Sequence, residues 1–433
     1  MKQYETYKDS GVEWIGVLPE HWRVIKLKFV TEYVKTGSTP PSDNLEYYSN
    51  GNIDWYGPSD FKTLELGDSK KKVTQKALID GKCRLFDEGS VLLIGIGATV
   101  GKIGITNRKC SSNQQINAIK FKSDLMISTF ATYYLDSIKN IIVSEAASST
   151  LPIFNQTQTK ELAISHPSLK EQNQIANYLN QKTAQLDTLI AKKEQLISLL
   201  QEERTAIIDN FLQPKDDWNS VPIRYLIMGG YLKQQDGNHG ELHPIASEYT
   251  ENGIPFVMAN HLVNEKIDFE NCKYISEERA SKLRIGFAKE GDILLTHKGT
   301  LGRVAIVEGL STEYVMLTPQ VTYYRCLKGL DNRYLKLFFQ SSKFQNEMKF
   351  IGGEGTTRAY VGLLAQRNIV IDFPNEINEQ KKIVEKIDFI LNINSDLINK
   401  FSLEIELLKE YKNALISEVV TGKVDVREEV LVQ

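Results

Sequence analysis

The chain has 433 residues, of which 41% are hydrophobic and 25% are charged, so it has enough apolar material for two to four globular domains. Its 52 lysine and arginine residues nearly balance 55 aspartate and glutamate residues, and a formal net charge of −3 neither requires nor excludes a nucleic-acid partner. The four cysteines are scattered and no apolar run is long enough to span a membrane, so we expect a cytoplasmic protein without disulfides.

Residues 1–168 are predicted to form a mixed β module with short helices. Ile53–Tyr56 and Ser90–Ile94 are short apolar segments bounded by Gly, Pro and Asn residues, a pattern typical of strands. Ser128–Ile138 has the spacing of a helix. Ile164–Pro167 is expected to leave the module as an extended segment, because the residue before a proline avoids the helical region.

Residues 169–214 are predicted to form one long helix. The segment Leu169–Leu212 contains no glycine or proline, and its apolar residues fall on one stripe of the kind found in coiled coils. Roughly 44 residues at 1.5 Å each would span about 66 Å, which is more than a globular core needs. The predicted seam consists of Leu186, Ile190, Ile197, Leu200, Ile207 and Phe211.

The second half of the chain repeats the first. Residues 215–375 form a second predicted module, and residues 376–433 begin with a second long helix in which Glu379-Gln380 matches Glu171-Gln172 at an offset of 208 residues. The second module starts where the first helix ends and finishes where the second begins, so the helices should pair antiparallel. We therefore predict an α+β fold in which two mixed α/β domains are separated by a long antiparallel two-helix coiled coil. A pseudo-two-fold axis should relate the halves, with the C-terminus near the first module.

Catalytic motifs are not recognisable in the sequence. Gly95–Ile103 resembles a phosphate-binding loop, but its glycines and last residue do not fit, and its repeat at Thr296–Val304 lacks the lysine, so we prefer a glycine-rich turn. His239 and His243 are four residues apart, but nearby glycines and a proline disfavour a helix, so we predict no metal site. Methyltransferase, nuclease, helicase and hydrolase motifs are also missing, which predicts a chain that is not an enzyme.

Polar residues gather in loops of both modules. Such side chains can hydrogen-bond to base edges in the major groove, and glycines let the backbone approach phosphate. Ordinary solvated loops have the same composition, so the clusters indicate more than their single members. The candidate DNA-binding residues are Thr36, Gly37, Ser38, Thr39, Ser59, Asp60, Lys62, Thr99, Lys102, Gln114, Gln115, Thr150, Gln234, Gln235, Asn260, His261, Lys298, Thr300, Arg303, Gln320, Thr356, Thr357 and Arg358.

The chain resembles the specificity subunits of Type I restriction-modification enzymes over essentially its full length. The resemblance rests on the opening YKDSGVEWIGVLPEHWRVIKL, on the segments HPSLKEQNQIANYL and FPNEINEQKKIVEKI that close the modules, on the GATVGK turn and on the duplicated layout. It implies two target-recognition domains, each reading one half of a split, asymmetric site in double-stranded DNA. It also implies conserved helices that set the distance between the half-sites.

The same resemblance implies partner proteins. Two modification (methyltransferase) subunits would dock on the helices and restriction (endonuclease and translocase) subunits would join them. S-adenosylmethionine, ATP and Mg would be bound by those partners and no cofactor by this chain. Gln172, Arg204, Gln380 and Lys412 are expected to lie on the docking helices. Arg204 and Lys412 interrupt the apolar stripe, so they either extend from the seam to solvent or meet acidic groups of the modification subunits.

Two other interpretations stay open from sequence. A self-contained restriction-modification enzyme would need methyltransferase and nuclease domains, for which the sequence offers no motif. A structural or regulatory antiparallel coiled-coil protein would bind other proteins through its modules and have no DNA specificity. Methylation of DNA by a partner methyltransferase, with and without this chain, would separate the last interpretation from the first.

Overall fold

The computed structural model describes residues 2–146, 151–240, 243–353 and 359–428, and the chain divides into two compact units. Unit 1 comprises Met1–Lys193 and Leu403–Gln433, and unit 2 comprises Glu194–Ser402. Each unit therefore contains one globular module and one half of each long helix. The four segments predicted from sequence follow one another along the chain. The boundaries between the compact units instead fall inside the two long helices.

Short strands and helices form the module of unit 1, and a long helix follows it. In chain order they are β1 (Tyr7–Asp9), β2 (Val17–Pro19), β3 (Arg23–Lys26), α1 (Leu27–Val30), β4 (Thr31–Thr36), β5 (Ile53–Tyr56), β6 (Glu65–Leu66), β7 (Lys72–Val73), α2 (Gln75–Ile79), β8 (Val91–Ile94), β9 (Ile103–Thr106), β10 (Ser111–Ser112), β11 (Ile116–Phe121), α3 (Ser128–Ser137), α4 (Lys139–Ala146), α5 (Gln156–Glu161), β12 (Ala163–His166) and α6 (Leu169–Phe211).

The module of unit 2 has a similar order of elements, and the second long helix follows it. The elements are β13 (Trp218–Pro222), α7 (Ile223–Met228), β14 (Leu232–Asp236), β15 (Tyr249–Thr250), β16 (Ile254–Val257), β17 (Leu262–Val263), β18 (Lys266–Ile267), β19 (Lys273–Ile275), α8 (Glu277–Ser281), β20 (Phe287–Ala288), β21 (Ile293–Lys298), β22 (Thr300–Ile306), β23 (Val315–Leu317), β24 (Val321–Cys326), α9 (Asn332–Gln340), α10 (Ser342–Gly352), α11 (Leu363–Gln366), β25 (Val370–Pro374) and α12 (Ile377–Val420).

The two modules share a common core topology, although their sheets differ in the number of strands. The main sheet has the order β4-β11-β8-β9-β6 in unit 1 and β14-β24-β21-β22 in unit 2. Next to it, β10 pairs in parallel with β5, as β23 does with β16. An early strand of each module pairs with the last one: β3, which follows the β1-β2 hairpin, pairs with β12, and β13 pairs with β25. The internal repeat predicted from sequence is therefore present in the folds of the two modules.

The central strand of each main sheet separates two apolar cores. Val91 and Leu93 on β8 face the core formed with α3 and the long helices, whereas Leu92 and Ile94 face a second core on the other side of the sheet. Alternate side chains of a strand point to opposite faces, so a strand that is covered on both sides reads as a continuous apolar run. This explains why Ser90–Ile94 was recognisable as a strand.

The long helices extend over 43 residues in α6 and 44 residues in α12, as predicted. All six residues of the predicted α6 seam are buried or half-buried. Within unit 1 the helices run antiparallel, because Lys193 pairs with Glu404 while the earlier Asp187 pairs with the later Lys412.

The end of the chain packs against its beginning in unit 1. After α12, Gly422 turns the backbone at a φ of 77°, and a Cβ there would lie 2.4 Å from Cδ of Pro19. The Asp425 amide then donates to the carbonyl of Lys2 at 2.9 Å. The predicted return of the C-terminus to the first module is confirmed.

One predicted helix was wrong in its extent. The sequence of Asn332–Phe344 predicts one helix in the second module, but α9 stops at Gln340 and α10 starts at Ser342. Ser341 has an extended backbone (φ −63°, ψ 151°), and its hydroxyl accepts from the Phe344 amide, which caps the new helix.

The four cysteines are free thiols, and three of them are buried. Within the described residues, no group of three or more His, Cys, Asp or Glu side chains is arranged to hold a metal ion. No helix in that part of the chain is both long and apolar enough to cross a membrane.

Candidate DNA-recognition surfaces

Two predicted polar loops of unit 1 and its predicted glycine-rich turn meet at one edge of the main sheet. Where β4 ends, the Gly37 amide donates to the carbonyl of Ile116 at 3.0 Å. Where β8 ends, the Gly95 amide donates to the carbonyl of Gln115 at 2.7 Å. The loop before β11 thus lies between the ends of two neighbouring strands.

Side chains join these loops as well. The Thr39 hydroxyl donates to the side-chain oxygen of Gln114. The Gln115 amide group donates to the carbonyl of Ile96 at 3.2 Å. Beside them lies a cleft of about 360 Å³, which includes Thr36 and Gln114 in its wall. We call this surface recognition edge 1, and it consists of Thr36–Thr39, Gly95–Gly97 and Gln114–Gln115.

Unit 2 has the same arrangement. The Gly237 amide donates to the carbonyl of Val321, and the His297 amide donates to the carbonyl of Gln320, both at 3.0 Å. These bonds connect the end of β14, the end of β21 and the loop before β24. We call this surface recognition edge 2, and it consists of Gln235–Asn238, His297–Thr300 and Gln320.

Both edges need a glycine immediately after the edge strand of the main sheet, which is β4 in unit 1 and β14 in unit 2. A Cβ on Gly37 would lie 2.2 Å from the hydroxyl oxygen of Ser112, and a Cβ on Gly237 would lie 1.9 Å from the carbonyl oxygen of Thr318. Any side chain would therefore push the two crossing segments apart. The sequence analysis selected Gly37 because it lies in a polar loop, but it did not single out Gly237.

A buried histidine fixes the hairpin of recognition edge 2. His297 is fully buried, and its Nε2 lies 2.9 Å from Oδ1 of Asp236 at the end of β14. Its Nδ1 lies 3.2 Å from the carbonyl oxygen of Val361. The sequence analysis missed this histidine, because its partners are distant along the chain.

The predicted DNA-binding residues divide by exposure. Those whose side chains are exposed are Thr39, Ser59, Lys62, Lys102 and Gln114 in unit 1 and Asn260, Lys298, Thr300, Arg303 and Gln320 in unit 2. Those that are half-buried are Thr36, Ser38, Asp60, Thr99, Gln115 and Gln235, and Gly37 is buried. Those that lie outside the described residues are Thr150, Thr356, Thr357 and Arg358.

Two predicted readers are buried, and these predictions were wrong. Gln234 donates to the Tyr324 hydroxyl at 2.9 Å and accepts from the Arg367 guanidinium at 2.9 Å. His261 has its Nδ1 3.2 Å from Sγ of Cys272, and burial lowers the pKa of the imidazole. Burial likewise raises the pKa of Cys272 to about 12. These side chains hold the second module together and do not face a ligand.

Other predicted residues lie away from recognition edge 1. Lys62 and Lys102 line a larger groove of about 1420 Å³ in unit 1, together with Lys409 and Lys412 of α12. The Asp60 carboxylate accepts from the Gly57 amide at 2.8 Å, so it closes a turn.

Gln172 and Gln380 lie on the two long helices, as expected, but their side chains are buried inside the modules. Oε1 of Gln172 accepts from the Ile127 amide at 2.8 Å, and its Nε2 donates to the carbonyls of Leu125 and Pro167. Ile127 is the residue that precedes α3. Gln172 therefore ties α6 to the module and offers nothing to a partner.

Gln380 repeats this arrangement in unit 2. Its Oε1 accepts from the amide of Asp331, the residue before α9, at 2.8 Å. Its Nε2 donates to the carbonyls of Gly329 and Pro374. The Glu-Gln signature of the repeat is thus a structural clamp between each long helix and its module.

Both basic residues on the helix stripe already have acidic partners. Arg204 pairs with Glu265 of the second module, and Lys412 lies 2.6 Å from Asp187 on α6. Burial acts to raise the pKa of Glu265, but the charges of Lys336 and Arg204 outweigh it and the pKa is lowered. One of the two predicted alternatives required these cations to meet acidic groups of the modification subunits. In this chain both are already paired with its own carboxylates.

Exposed leucines form a repeat on the helices that the sequence analysis did not use. Leu189 on α6 and Leu407 on α12 belong to unit 1 and are 42% and 53% exposed. Their equivalents at the offset of 208 residues, Leu397 and Leu199, belong to unit 2 and are 37% and 50% exposed. Each unit therefore carries one equivalent pair of exposed leucines.

Specificity subunits of Type I restriction enzymes are among the known proteins that match this chain. Residues 19–199 and 239–407 match the family model described as the Type I restriction modification DNA specificity domain. The MjaIX specificity subunit of a Type I restriction enzyme from Methanocaldococcus jannaschii is 26% identical over 96% of this chain and 96% of its own length. The EcoKI specificity subunit from Escherichia coli is 21% identical over 86% of this chain and 82% of its own length.

Solved structures show the same fold. A chain from a study of complex assembly and conformational transition of the type I R-M system has a TM-score of 0.70, at 14% identity, over 94% of this chain and 99% of that one. The HsdS subunit from Thermoanaerobacter tengcongensis has a TM-score of 0.50, also at 14% identity, over 94% of this chain and 98% of that one. With the family model matched across both modules, this chain belongs to the Type I restriction-modification DNA specificity family.

Proposed function

We propose that recognition edge 1 and recognition edge 2 each read one half of a split, asymmetric site in double-stranded DNA. The chain is a non-catalytic DNA specificity subunit, so it binds DNA and assembles with the other subunits of a Type I restriction-modification complex. One observation carries the assignment to these surfaces: in both modules, polar loops from equivalent strand ends are hydrogen-bonded into a single edge.

The composition of the two edges supports two different half-sites. Recognition edge 1 offers Thr39 and Gln114, an exposed hydroxyl and an exposed carboxamide. Recognition edge 2 offers Lys298, Thr300 and Gln320, which include a cation. Base pairs in the major groove differ in their pattern of donors and acceptors, so two edges with different side chains select different bases.

The exposed leucines support two copies of one partner. We propose that each equivalent pair docks one modification subunit, and that restriction subunits join this assembly. S-adenosylmethionine, ATP and Mg would be bound by these partners. Solvent-exposed leucines at repeated positions are typical of an apolar interaction surface, and a duplicated surface fits two identical subunits. Free, mostly buried thiols fit the reducing cytoplasm as the place of assembly.

The test of DNA readout is a double substitution, Thr39→Ala with Gln114→Ala, in the complete methyltransferase. We expect relaxed sequence preference at one or two positions of one half-site and no change in the other, because each lost base contact removes about 1–3 kcal/mol of discrimination. Mapping of methylated positions across a genome gives the result. The matched control is Thr6→Ala with Gln3→Ala, which removes the same exposed residue types from the N-terminal segment.

Changes in both half-sites would show that the modules are not independent readers. An unchanged site would show that recognition edge 1 does not read bases. The alternative of a coiled-coil protein without DNA specificity makes a different prediction, since modification subunits would then methylate the same DNA with or without this chain.

A further inference from the structure

A basic tripeptide occurs at the same place in both modules. Lys82-Cys83-Arg84 follows α2 in unit 1, and Lys282-Leu283-Arg284 follows α8 in unit 2. The middle residue of each is 5% exposed and packs inside its module, whereas the arginines are exposed. The buried middle residue fixes the backbone, so each arginine is presented outward from an equivalent position.

Both arginines flank the recognition edges. Nη1 of Arg84 donates to the carbonyl of Thr36 at 2.9 Å, at the first residue of recognition edge 1. Two residues after Arg84, Phe86 pairs with Cys110 immediately before β10, whose Ser112 carbonyl accepts from the Ser38 amide. The segment that carries Arg84 is therefore joined to recognition edge 1.

In unit 2 the same segment reaches recognition edge 2. The amide of Gly286, two residues after Arg284, lies 3.3 Å from the side-chain oxygen of Gln235, and a Cβ on Gly286 would lie 2.9 Å from the Asn238 amide nitrogen. Within the part of the chain that the structure describes, the guanidinium of Arg284 has no hydrogen-bond or ion-pair partner. Its whole donor set is available, as is most of that of Arg84.

We propose that Arg84 and Arg284 are equivalent phosphate clamps that position each recognition edge on the DNA backbone. This rests on the proposed reading of one half-site by each edge. The two edges differ in the side chains that could read bases, yet both keep an arginine at this place. What two different half-sites have in common is the phosphate backbone, and a guanidinium is well suited to bind it through paired donors. Phosphate contacts fix register and orientation and carry no sequence information.

The test measures how DNA affinity depends on salt. The complete methyltransferase, assembled with full-length chain, is titrated onto duplex DNA that contains its mapped site, from about 50 to 200 mM salt. The slope of log affinity against log salt is negative, and each lost phosphate contact should make it less steep by about 0.9. The loss of affinity in Arg84→Ala, and separately in Arg284→Ala, should therefore shrink by about 3.5-fold over this fourfold rise in salt. The methylated sequence should stay the same.

Two further variants make the result specific. Arg84→Lys keeps the charge and should keep the slope. Arg23→Ala removes an exposed arginine on β3 of the same unit, which pairs with His166 of β12 and not with recognition edge 1, and should leave the slope unchanged. An affinity loss that is equal at all salt concentrations would assign the arginines a structural role and overturn the proposal. A relaxed sequence preference at one base pair would also overturn the proposal, because it would show that the arginine reads a base. Unchanged binding at all salt concentrations would overturn it as well.

Failure of the proposed function would look different. In that case the wild-type complex itself would bind the mapped site no better than a scrambled duplex, before any arginine is changed.

Discussion

At the scale of single residues, the most informative side chains are two buried glutamines. Gln172 and Gln380 each satisfy one backbone amide and two backbone carbonyls, and in each unit the amide belongs to the residue that precedes a module helix. A side-chain amide is well suited to this task, because it donates and accepts at once without adding a buried charge. The long helices and modules are thereby held together by specific hydrogen bonds as well as by apolar packing.

We expect Gln172→Ala to destabilise the protein by roughly 3 kcal/mol, because it leaves the Ile127 amide and the Pro167 carbonyl without their partner and the Leu125 carbonyl with His166 alone. Chemical denaturation followed by circular dichroism measures this change. Asn177→Ala is the control, since Asn177 is exposed on the same helix and should change stability by less than about 0.5 kcal/mol. Equal losses in both variants would mean that the clamp contributes no more than an ordinary surface residue of α6.

Glu265 gives a pH-dependent prediction. Its pKa is lowered in the folded protein because Lys336 and Arg204 outweigh the effect of burial, so its ionised form stabilises the fold. This contribution is present above the unfolded pKa of about 4.3 and is lost as the pH falls through the lowered folded pKa.

We therefore expect Glu265→Gln to lower stability at pH 7 by roughly 1–3 kcal/mol, and the difference from wild type to shrink as the pH falls below about 4.3 and to vanish below the lowered folded pKa. Denaturant titrations at several pH values would show this convergence. Glu270→Gln is the control, because Glu270 is an exposed carboxylate in the same module. A difference that persists at low pH would mean that the ion pairs are not its cause.

The residue scale is also where sequence reasoning was weakest. Gln234 and His261 have the chemistry of base readers, but their partners Tyr324 and Cys272 were not evident from the sequence. A polar side chain in a loop can equally well satisfy the interior of a small module. Only the fold decides between these roles, because local sequence does not reveal which polar groups become buried.

At the scale of elements, periodic patterns were informative. The seam of α6, the strand Ile53–Tyr56 and the helix that starts at Ser128 were all predictable, since each depends on spacing within one short segment. The break at Ser341 was not predictable, because the apolar period continues across it while the backbone does not. The exposed leucines were also missed, since a stripe pattern does not show which apolar residues a partner helix leaves uncovered.

The leucine pairs give a prediction about stoichiometry. Leu189→Asp with Leu407→Asp should remove one modification subunit and leave the other, because an aspartate in an apolar interface costs several kcal/mol of binding free energy. Native mass spectrometry of the complex should then show one modification subunit in place of two. The equivalent change, Leu199→Asp with Leu397→Asp, should remove the other.

Ala191→Asp is the control, because Ala191 is exposed about 200° around α6 from Leu189. If both subunits remained bound in each leucine variant, docking would have to use another surface. If Ala191→Asp removed a subunit as well, the effect would be general to acidic substitutions on this helix.

At the scale of the whole molecule, the duplicated layout was the most predictable feature, because a repeat of 208 residues leaves many independent matches along the chain. The family resemblance further implies that the long helices set the distance between half-sites. An insertion of four helix-forming residues after Ala191 would lengthen α6 by about 6 Å. It would also rotate the part of the helix after the insertion by a net angle of about 40° relative to the part before it.

We expect this insertion to lengthen the spacer of the recognised site by one base pair and to leave both half-sites unchanged. One base pair adds about 3.4 Å and about 35° of twist, so it compensates the rotation and part of the translation. Genome-wide mapping of methylated sites would reveal the longer spacer. The same four residues inserted in the exposed loop at residues 308–312 are the control, and an unaltered spacer with full activity would show that the helices do not set the distance.

The packing of residues from 403 onward into unit 1 has a consequence for how the protein is made. Leu415, Ile416 and Val419 share a core with Ile175 and Leu179, although more than 200 residues are translated between the two groups. At about 5–20 residues per second, the nascent first module waits roughly 10–50 s on the ribosome for its last helix, while the contiguous unit 2 is completed first. A chain cut short by a premature stop codon would expose the apolar side of α6. We expect proteases to clear it before it could engage DNA.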